Sequence, residues 1–372
     1  MKILITGDLA ITQPYNTSAL IDQSLKDLFT SSDINIVNLE VPVTESISKI
    51  LKTGPNLKAH RQSIAEIFKM LHVKVATLAN NHLMDYDEQG VADTLAFCKE
   101  EKVQTVGGGM NLEEASKTLY LDTEEGKIAV VNFAENEWIP ATTTSAGANP
   151  MDIIDNANLI KHAKLNAEFV FVIVHGGHEY YNLPSPRMQK QYRFYAEQGA
   201  DIVIGHHTHC MSGNEVYMGV PIYYSLGNFI FTEQSTYSDW YIGLVLEVEI
   251  QKGKLLTQLN PMKQQEKTFE LSLLKNDEKQ EVLDRILLYS AIIADELKLK
   301  QEWNNFIESK YDDYLNYWSP FSFISNRYIK GLFIKMGIKG MNKKGMALTL
   351  NLIRCESHAD MSKEVIKKYL MK

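Results

Sequence analysis

An α/β fold with a largely parallel sheet is the class this sequence predicts, and three observations carry it. Short apolar runs rich in Ile and Val recur through residues 1–265, each too short for a helix. Amphipathic stretches with apolar residues three and four apart lie between several of them. The order strand, helix, strand repeats, which is how parallel strands are joined.

The first strand is predicted over residues 2–6, followed by a helix over 18–28 and a second strand over 34–38. A helix over 63–71, a strand over 73–78 and a helix over 87–101 continue the alternation. Strands over 128–133, 169–174 and 201–204 complete the set, and their near-continuous apolar composition suits burial on both faces. Residues 134–150, with a Thr run and Gly147, Asn149 and Pro150, read as a loop. Residues 215–217, 222–224, 229–231 and 243–250 read as short strands joined by tight turns, which suggests added antiparallel strands or a second sheet. After about residue 268 the texture becomes helical. Periodicity is strong over 277–299 and continues over 301–317 with Trp303, Phe306, Tyr311, Tyr314, Tyr317 and Trp318, a stripe expected to pack as core. The expected division is a main domain, 1–267, and a helical C-terminal extension, 268–372.

The 372 residues can bury one large core or a core plus a module. No run reaches 18 apolar residues, so no membrane-spanning helix is expected. The N-terminus enters an apolar run directly, without the order of a secretory signal, and a cytoplasmic location is expected. Cys98, Cys210 and Cys355 are too far apart for a CxxC zinc site and are expected to be reduced thiols; Cys210 adjoins His209. The net charge of −8 is uneven: residues 321–372 hold eleven Lys/Arg against three Asp/Glu, leaving −16 for the rest. So acidic a main body argues against nucleic-acid binding there.

Six of the ten histidines lie in three segments, Asn80-Asn81-His82, His175-Gly176-Gly177-His178-Glu179 and Gly205-His206-His207-Thr208-His209, each after a predicted strand. Other strand ends supply Asp8 and Glu40. Ligands gather outside the carboxyl ends of strands in open α/β sheets. A lone histidine at a strand end is more often structural, but five such exits acting together point to metal. Carboxylates, imidazoles and an amide oxygen match Mn, Zn or Fe, and a pair of ions would assist attack on an anionic substrate. His207 and His209 can converge if the backbone bends between them.

The stretches Gly7-Asp8, Asn38-Leu39-Glu40-Val41-Pro42-Val43-Thr44, Ala79-Asn80-Asn81-His82-Leu83-Met84-Asp85, His175 to Tyr180, Gly199 to His209, and Tyr224-Ser225-Leu226-Gly227-Asn228-Phe229 resemble, in order, the CapA-type poly-gamma-glutamate capsule biosynthesis family, a branch of the calcineurin-like metallophosphoesterase superfamily. The resemblance covers about residues 1–250. It implies a four-layer α-β-β-α sandwich, here with a C-terminal helical appendage. It also implies that Glu40 bridges two metals, with Asn81, His175 and His207 at one and Asp8 and His209 at the other. His82 would donate a proton to the leaving group, oriented by Asp85. The wider superfamily has a histidine two residues after the first Asp; here it is Ala10, so the Asp8/His209 site is a ligand short and expected to be the weaker. Gly176 stands where the family often has Trp, which is expected to open space near the metals.

His178, Glu179, Arg187, His206 and Asn228 are candidate substrate-side groups. For His178 and Glu179 the competing reading is loop packing, for His206 orientation of a ligand, for Arg187 a solvated side chain, and for Asn228 a turn role. The Lys58/His60/Arg61 loop is a further substrate-side candidate, and Asp33 and Asp201 are expected to cap turns. In the basic tail, Arg327, Lys330, Lys335 and Lys339 alternate with Phe321, Phe323, Leu332 and Phe333. Residues 321–372 form either a solvated basic face or a peripheral contact with an anionic membrane. The function expected is a metal-dependent hydrolase of the CapA type, acting on a phosphoester or other anionic capsule intermediate. Two alternatives are a non-catalytic metal-binding component of a polymer synthesis or export complex, and an amide hydrolase on glutamate polymers.

Overall fold

The protein is represented by a computed structural model that describes every residue except Thr53, Ile139, Ser325, Lys339, 355–357, 359–360, 363–364, 367–368 and 371–372. Cys355 and Lys339 thus lie outside the described residues. Two sheets form the centre. The first runs, in spatial order, through Leu271–Leu273, Lys254–Gln264, Ile242–Gln251, Lys2–Ala10, Ile34–Leu39, Val73–Thr77 and Gln104–Val106, with Asn228–Phe231 also paired to Lys2–Ala10. The strands from Lys2–Ala10 to Gln104–Val106 are parallel, and the other edge is antiparallel. The second runs through Asn214–Tyr217, Val220–Tyr223, Ile202–His206, Phe169–His175, Gly126–Ala134 and Leu119–Thr123, with four parallel strands at its centre.

Alternation along each strand builds four layers. Ile3, Ile5, Ile36 and Val75 of the first sheet meet Val130, Phe171, Ile173 and Ile204 of the second in one buried cluster between the sheets. The opposite faces, Leu4, Val37 and Ala76 on one side and Val131, Val172 and Val203 on the other, lie against helices. Helices Gln23–Thr30, Arg61–Met70 and Asp87–Glu100 cover the first sheet with Leu25, Phe29, Ile64, Ile67 and Phe97. Helices Ile153–Asn166 and Pro186–Glu197 cover the second with Ile160, Ala163, Tyr192 and Tyr195. This is the α-β-β-α sandwich expected.

The differences from expectation are local. The helix expected over 18–28 is two pieces, because Ile21 is extended and bridges Leu271 while Asp22 caps a new start through Ser24 N–H. The late strands split between the sheets: 214–217 and 220–223 extend the second, whereas 228–231 and 242–251 flank Lys2–Ala10 in the first. Within the expected loop 134–150, Gly147–Ala148 pairs with Gly108–Gly109.

Helices Asn276–Ala294, Glu296–Trp318, Arg327–Lys335 and Lys343–Arg354 follow. The texture change near 268 marks the passage from strands to helices, while the chain divides into compact units after Trp303: Met1–Trp303 and Asn304–Lys372. Val282 and Ile286 of the first of these helices join the core of the first unit. The aromatic stripe is not core as expected: Tyr311, Tyr314, Tyr317 and Trp318 are exposed, and Trp303 lies edge-on to the His178 ring. Among the described residues, no helix is long and apolar enough to cross a membrane.

Candidate metal centre

The carboxyl ends of parallel strands from both sheets deliver the histidines and carboxylates to one buried spot. Asp8 sits where the pairing of Lys2–Ala10 with its neighbour shifts register, beside Asn38, whose side-chain amide donates to Asp8 Oδ1 at 2.6 Å. The other oxygen accepts the His207 backbone N–H at 3.2 Å. The shift needs Gly7: a Cβ there would lie 1.8 Å from the Gly227 carbonyl oxygen. Glu40 follows Ile34–Leu39 and is held by its own N–H on Leu9 O. His175 and His206 are neighbours in register at the ends of adjacent strands.

Past His206 the backbone bends sharply. His207 has φ 89° and His209 φ 54°, a region side-chain-bearing residues rarely enter. That pair of left-handed residues turns both imidazoles inward, the bend on which their convergence depends. Strain of this kind costs about 1–3 kcal/mol per residue and is retained where geometry matters.

Two groups of donor atoms result. Glu40, His175 and His207 form one, and Asp8, Glu40 and His209 the other, each with its donor atoms within 4.8 Å of one another. Glu40 belongs to both: His175 Nε2 and His209 Nε2 each lie 3.8 Å from its Oε1. Asn81 Oδ1, 3.0 Å from His175 Nε2, adds an amide oxygen to the first group. His207 Nδ1 faces the same nitrogen at 3.2 Å. His209 Nδ1 meets Asn228 Oδ1 at 2.9 Å, so a proton held there leaves Nε2 as a free lone pair facing Glu40.

The electrostatics fit a cation. Both oxygens of Glu40 are buried and accept no hydrogen bond from a described residue. Burial, then the neighbouring Asp8, pushes the Glu40 carboxyl well above the ordinary carboxylate range. Burial likewise raises Asp8 to about 6, against its bonds from Asn38 and His207. Burial pushes His206 and His209 down to about 3, and His175 also falls, by burial and by the imidazoles around it. Neutral imidazoles around an orphaned carboxylate are the donor set for Mn, Zn or Fe. Divalent metal is therefore consistent with these residues.

Beside this spot, His82 Nδ1 and Asp85 Oδ2 are 2.6 Å apart. Asp85 is fully buried and also accepts the Leu57 N–H at 2.7 Å and the ammonium of Lys52. Lys52 Nζ is 3.3 Å from His82 Nδ1, and its charge acts on Glu40 to favour ionisation. Sequence reading missed Lys52, which lies in an irregular segment without periodicity. It also missed Asn38, for which the only signal was its place in the Asn38-Leu39-Glu40 stretch.

The remaining candidates divide. His206 is buried with Nδ1 3.6 Å from Asp8 Oδ1, and Asn228 is buried against His209, so both touch metal-ligand candidates rather than open solvent. Glu179 is exposed and its charge acts on Glu40. Arg187 is exposed but tied to Glu135 at 2.7 Å and Gln191 at 2.8 Å. The space expected over Gly176 is filled, because a Cβ there would lie 2.6 Å from Glu135 Cγ. The loop candidates serve structure: Lys58 donates to Ser46 O, His60 caps Arg61–Met70, and Arg61 pairs with Glu100 at the surface. Asp33 accepts Lys2 N–H and Asp201 accepts Val170 N–H, tying strand starts. Cys98 and Cys210 are buried free thiols.

Sandwich and donor set together define a four-layer α/β protein with a candidate divalent-metal centre. The profile of the bacterial capsule synthesis protein PGA_cap family matches residues 2–233, more than half the chain, and the chain belongs to that family. It is 35% identical over 215 residues to the PGA biosynthesis protein CapA of Bacillus subtilis (strain 168), covering 57% of this chain and 56% of that one. The capsule biosynthesis protein CapA of Bacillus anthracis is 32% identical over 211 residues, covering 55% and 51%. The chain thus spans about half the length of these curated relatives. Among solved structures, a hypothetical protein from Thermus thermophilus superposes with a TM-score of 0.47 at 15% identity, over 74% of this chain and 100% of that one. A phosphatase from Mycoplasma pneumoniae gives 0.43 at 11%, over 76% and 96%.

Proposed function

We infer that this chain is a metal-dependent hydrolase acting on a phosphoester, or another anionic intermediate, in the assembly of a capsule polymer. The observation that carries this is Glu40: a buried carboxylate shared by two donor groups, without a hydrogen bond from any described residue, beside a positioned His82–Asp85 pair. Asp8, Glu40, Asn81, His175, His207 and His209 would hold the cations. When bound, divalent metal supplies Lewis acidity at the reacting centre.

The other roles fall to side chains. Asp85 fixes the His82 ring through Nδ1, which leaves Nε2 to pass a proton to a leaving oxygen. Lys52 holds a positive charge against both, suited to an anionic substrate. Glu179 and Tyr180 stand at the exposed side, where Tyr180 stacks on Trp240 beside His209. A pure binding component would have no use for the His82–Asp85 pair, which favours catalysis over that reading. The names of the two Bacillus relatives, which concern PGA and capsule biosynthesis, support the choice of substrate setting.

The test is hydrolysis of bis(p-nitrophenyl) phosphate, p-nitrophenyl phosphate and γ-glutamyl oligomers by Mn-loaded protein. His82→Ala is expected to lower kcat by about 10²- to 10⁴-fold with the fold intact. Glu40→Ala is expected to abolish turnover, and Lys52→Met to reduce it. Turnover untouched by both His82→Ala and Glu40→Ala, or by exhaustive chelation, would remove the catalytic reading. Turnover of the glutamyl oligomers alone would move the reaction to an amide.

A further inference from the structure

The 34 residues 321–354 contain seven Lys or Arg and no Asp or Glu. They form a short 3-10 turn, Pro320–Phe323, and two helices, Arg327–Lys335 and Lys343–Arg354. On the first helix, the 3.6-residue period gathers Tyr328, Ile329, Leu332 and Phe333 on one arc, with Arg327, Lys330 and Lys335 on the other. On the second, Met346, Leu348, Leu350, Leu352 and Ile353 share a broad arc opposite Lys343, Lys344 and Arg354. Such arcs ordinarily face a core. Here Tyr328 is 74% exposed, Leu332 56%, Leu348 59% and Leu350 53%, while Phe323 in the preceding turn is 90% exposed. Phe333, stacked on Phe321 with ring centroids 4.2 Å apart, and Met346 are half-buried.

We propose that these two helices are a peripheral docking surface for an anionic lipid bilayer, lying in the interface with their apolar arcs among the acyl chains and their Lys and Arg at the headgroups. An apolar arc beside an acid-free basic arc is the pattern of an interfacial helix. Charge selects the occupant. A second copy of the segment would bring seven cations against seven, with no acid in it to pair them. Nucleic acid would satisfy the cations but leave Leu332, Leu348, Leu350 and Ile353 in water. An anionic bilayer satisfies both arcs at once. No spanning segment is needed, in keeping with helices of nine and twelve residues.

The test is co-sedimentation of the full chain with vesicles of phosphatidylglycerol and phosphatidylcholine, or of phosphatidylcholine alone. Binding is expected to be at least about tenfold stronger to the anionic vesicles, and to fall at least about tenfold when salt is raised to about 0.5 M. Leu332→Asp with Leu348→Asp removes the apolar half, and Lys330→Glu with Lys335→Glu reverses the charged half; each pair is expected to abolish binding. Lys74→Glu with Lys254→Glu, two exposed lysines of the first unit, makes the same charge change elsewhere and is expected to leave binding intact. Equal binding to both vesicles, binding kept by either helix pair, or binding lost in the control pair would overturn the proposal. So would preference for duplex DNA over vesicles, or self-association without lipid binding. Circular dichroism of each variant separates lost binding from lost fold.

Discussion

Replacing Glu40 by Gln is expected to stabilise the metal-free protein and to abolish its stabilisation by metal. Glu40 is buried, and neither oxygen accepts a hydrogen bond from a described residue. An unsatisfied buried polar group costs about 1–3 kcal/mol, and more when charged. The amide keeps the size and loses the charge, beside imidazole nitrogens 3.8 Å from the Oε1 position. A gain of about 2–4 kcal/mol follows, which in the unit Met1–Trp303 is about 3–6 °C in Tm. The sign with pH follows from linkage. The folded carboxyl is raised above its unfolded value, so its proton is retained on folding and given up on unfolding. Metal-free wild type therefore loses stability as pH rises from the ordinary carboxylate range towards the raised value, by up to about 1.4 kcal/mol per pH unit. The advantage of Glu40→Gln is then largest at pH 8 and shrinks towards pH 5. Scanning calorimetry in EDTA and in excess Mn²⁺ measures both halves. Wild type should gain Tm on adding Mn²⁺ and the variant should not. A variant less stable than wild type in EDTA at pH 8, or one with an undiminished Mn²⁺ shift, would refute the reasoning.

Three further outcomes are expected. Metal affinity should rise as pH rises through about 6 and beyond, because Asp8, raised to about 6, and Glu40, raised well above the carboxylate range, must both lose a proton, whereas His206 and His209, at about 3, are already neutral; calorimetry in buffers of different ionisation enthalpy should count more protons released at pH 5.5 than at 7.5. Metal titration should show two unequal classes, the tighter at Asn81/His175/His207, because Ala10 offers no ligand to the Asp8/His209 group; two equal tight classes would contradict this. Gly7→Ala should lower Tm by several degrees and weaken metal binding, because the new Cβ must push the Gly227 carbonyl from 1.8 Å and Asp8 moves with it; unchanged chemical denaturation and unchanged binding would show that the approach is not required.

Much of this was legible because burial on both faces leaves a plain trace. Phe169–His175 is continuously apolar up to its histidine, Ile34–Leu39 and Val73–Thr77 are Ile- and Val-rich runs interrupted by Asn35, Asn38 and Lys74, and each leads within a few residues to a polar group of the site. Their convergence could be read from strand order alone. What could not be read was decided by tertiary contact. Leu119–Thr123 and Lys254–Gln264 are half-exposed strands with mixed composition, held by pairing to a neighbour rather than by their own pattern. Lys52 reaches Asp85 across 33 residues from an irregular segment, which no local period announces. The aromatic stripe failed the other way: its spacing is that of a core helix, yet Tyr311, Tyr314 and Tyr317 face solvent.

The side chain of Glu135 over Gly176 has an evolutionary reading. Glu135 accepts Gly177 N–H, pairs with Arg187 and occupies the volume that any larger residue at 176 would claim. Exchanging the glycine for tryptophan first would push the Glu135 side chain off Gly177 N–H and Arg187, and shortening the glutamate would leave Arg187 with Gln191 alone. The three positions are therefore expected to change as a set, and a tryptophan graft at 176 should cost less stability in a background where 135 has already become small.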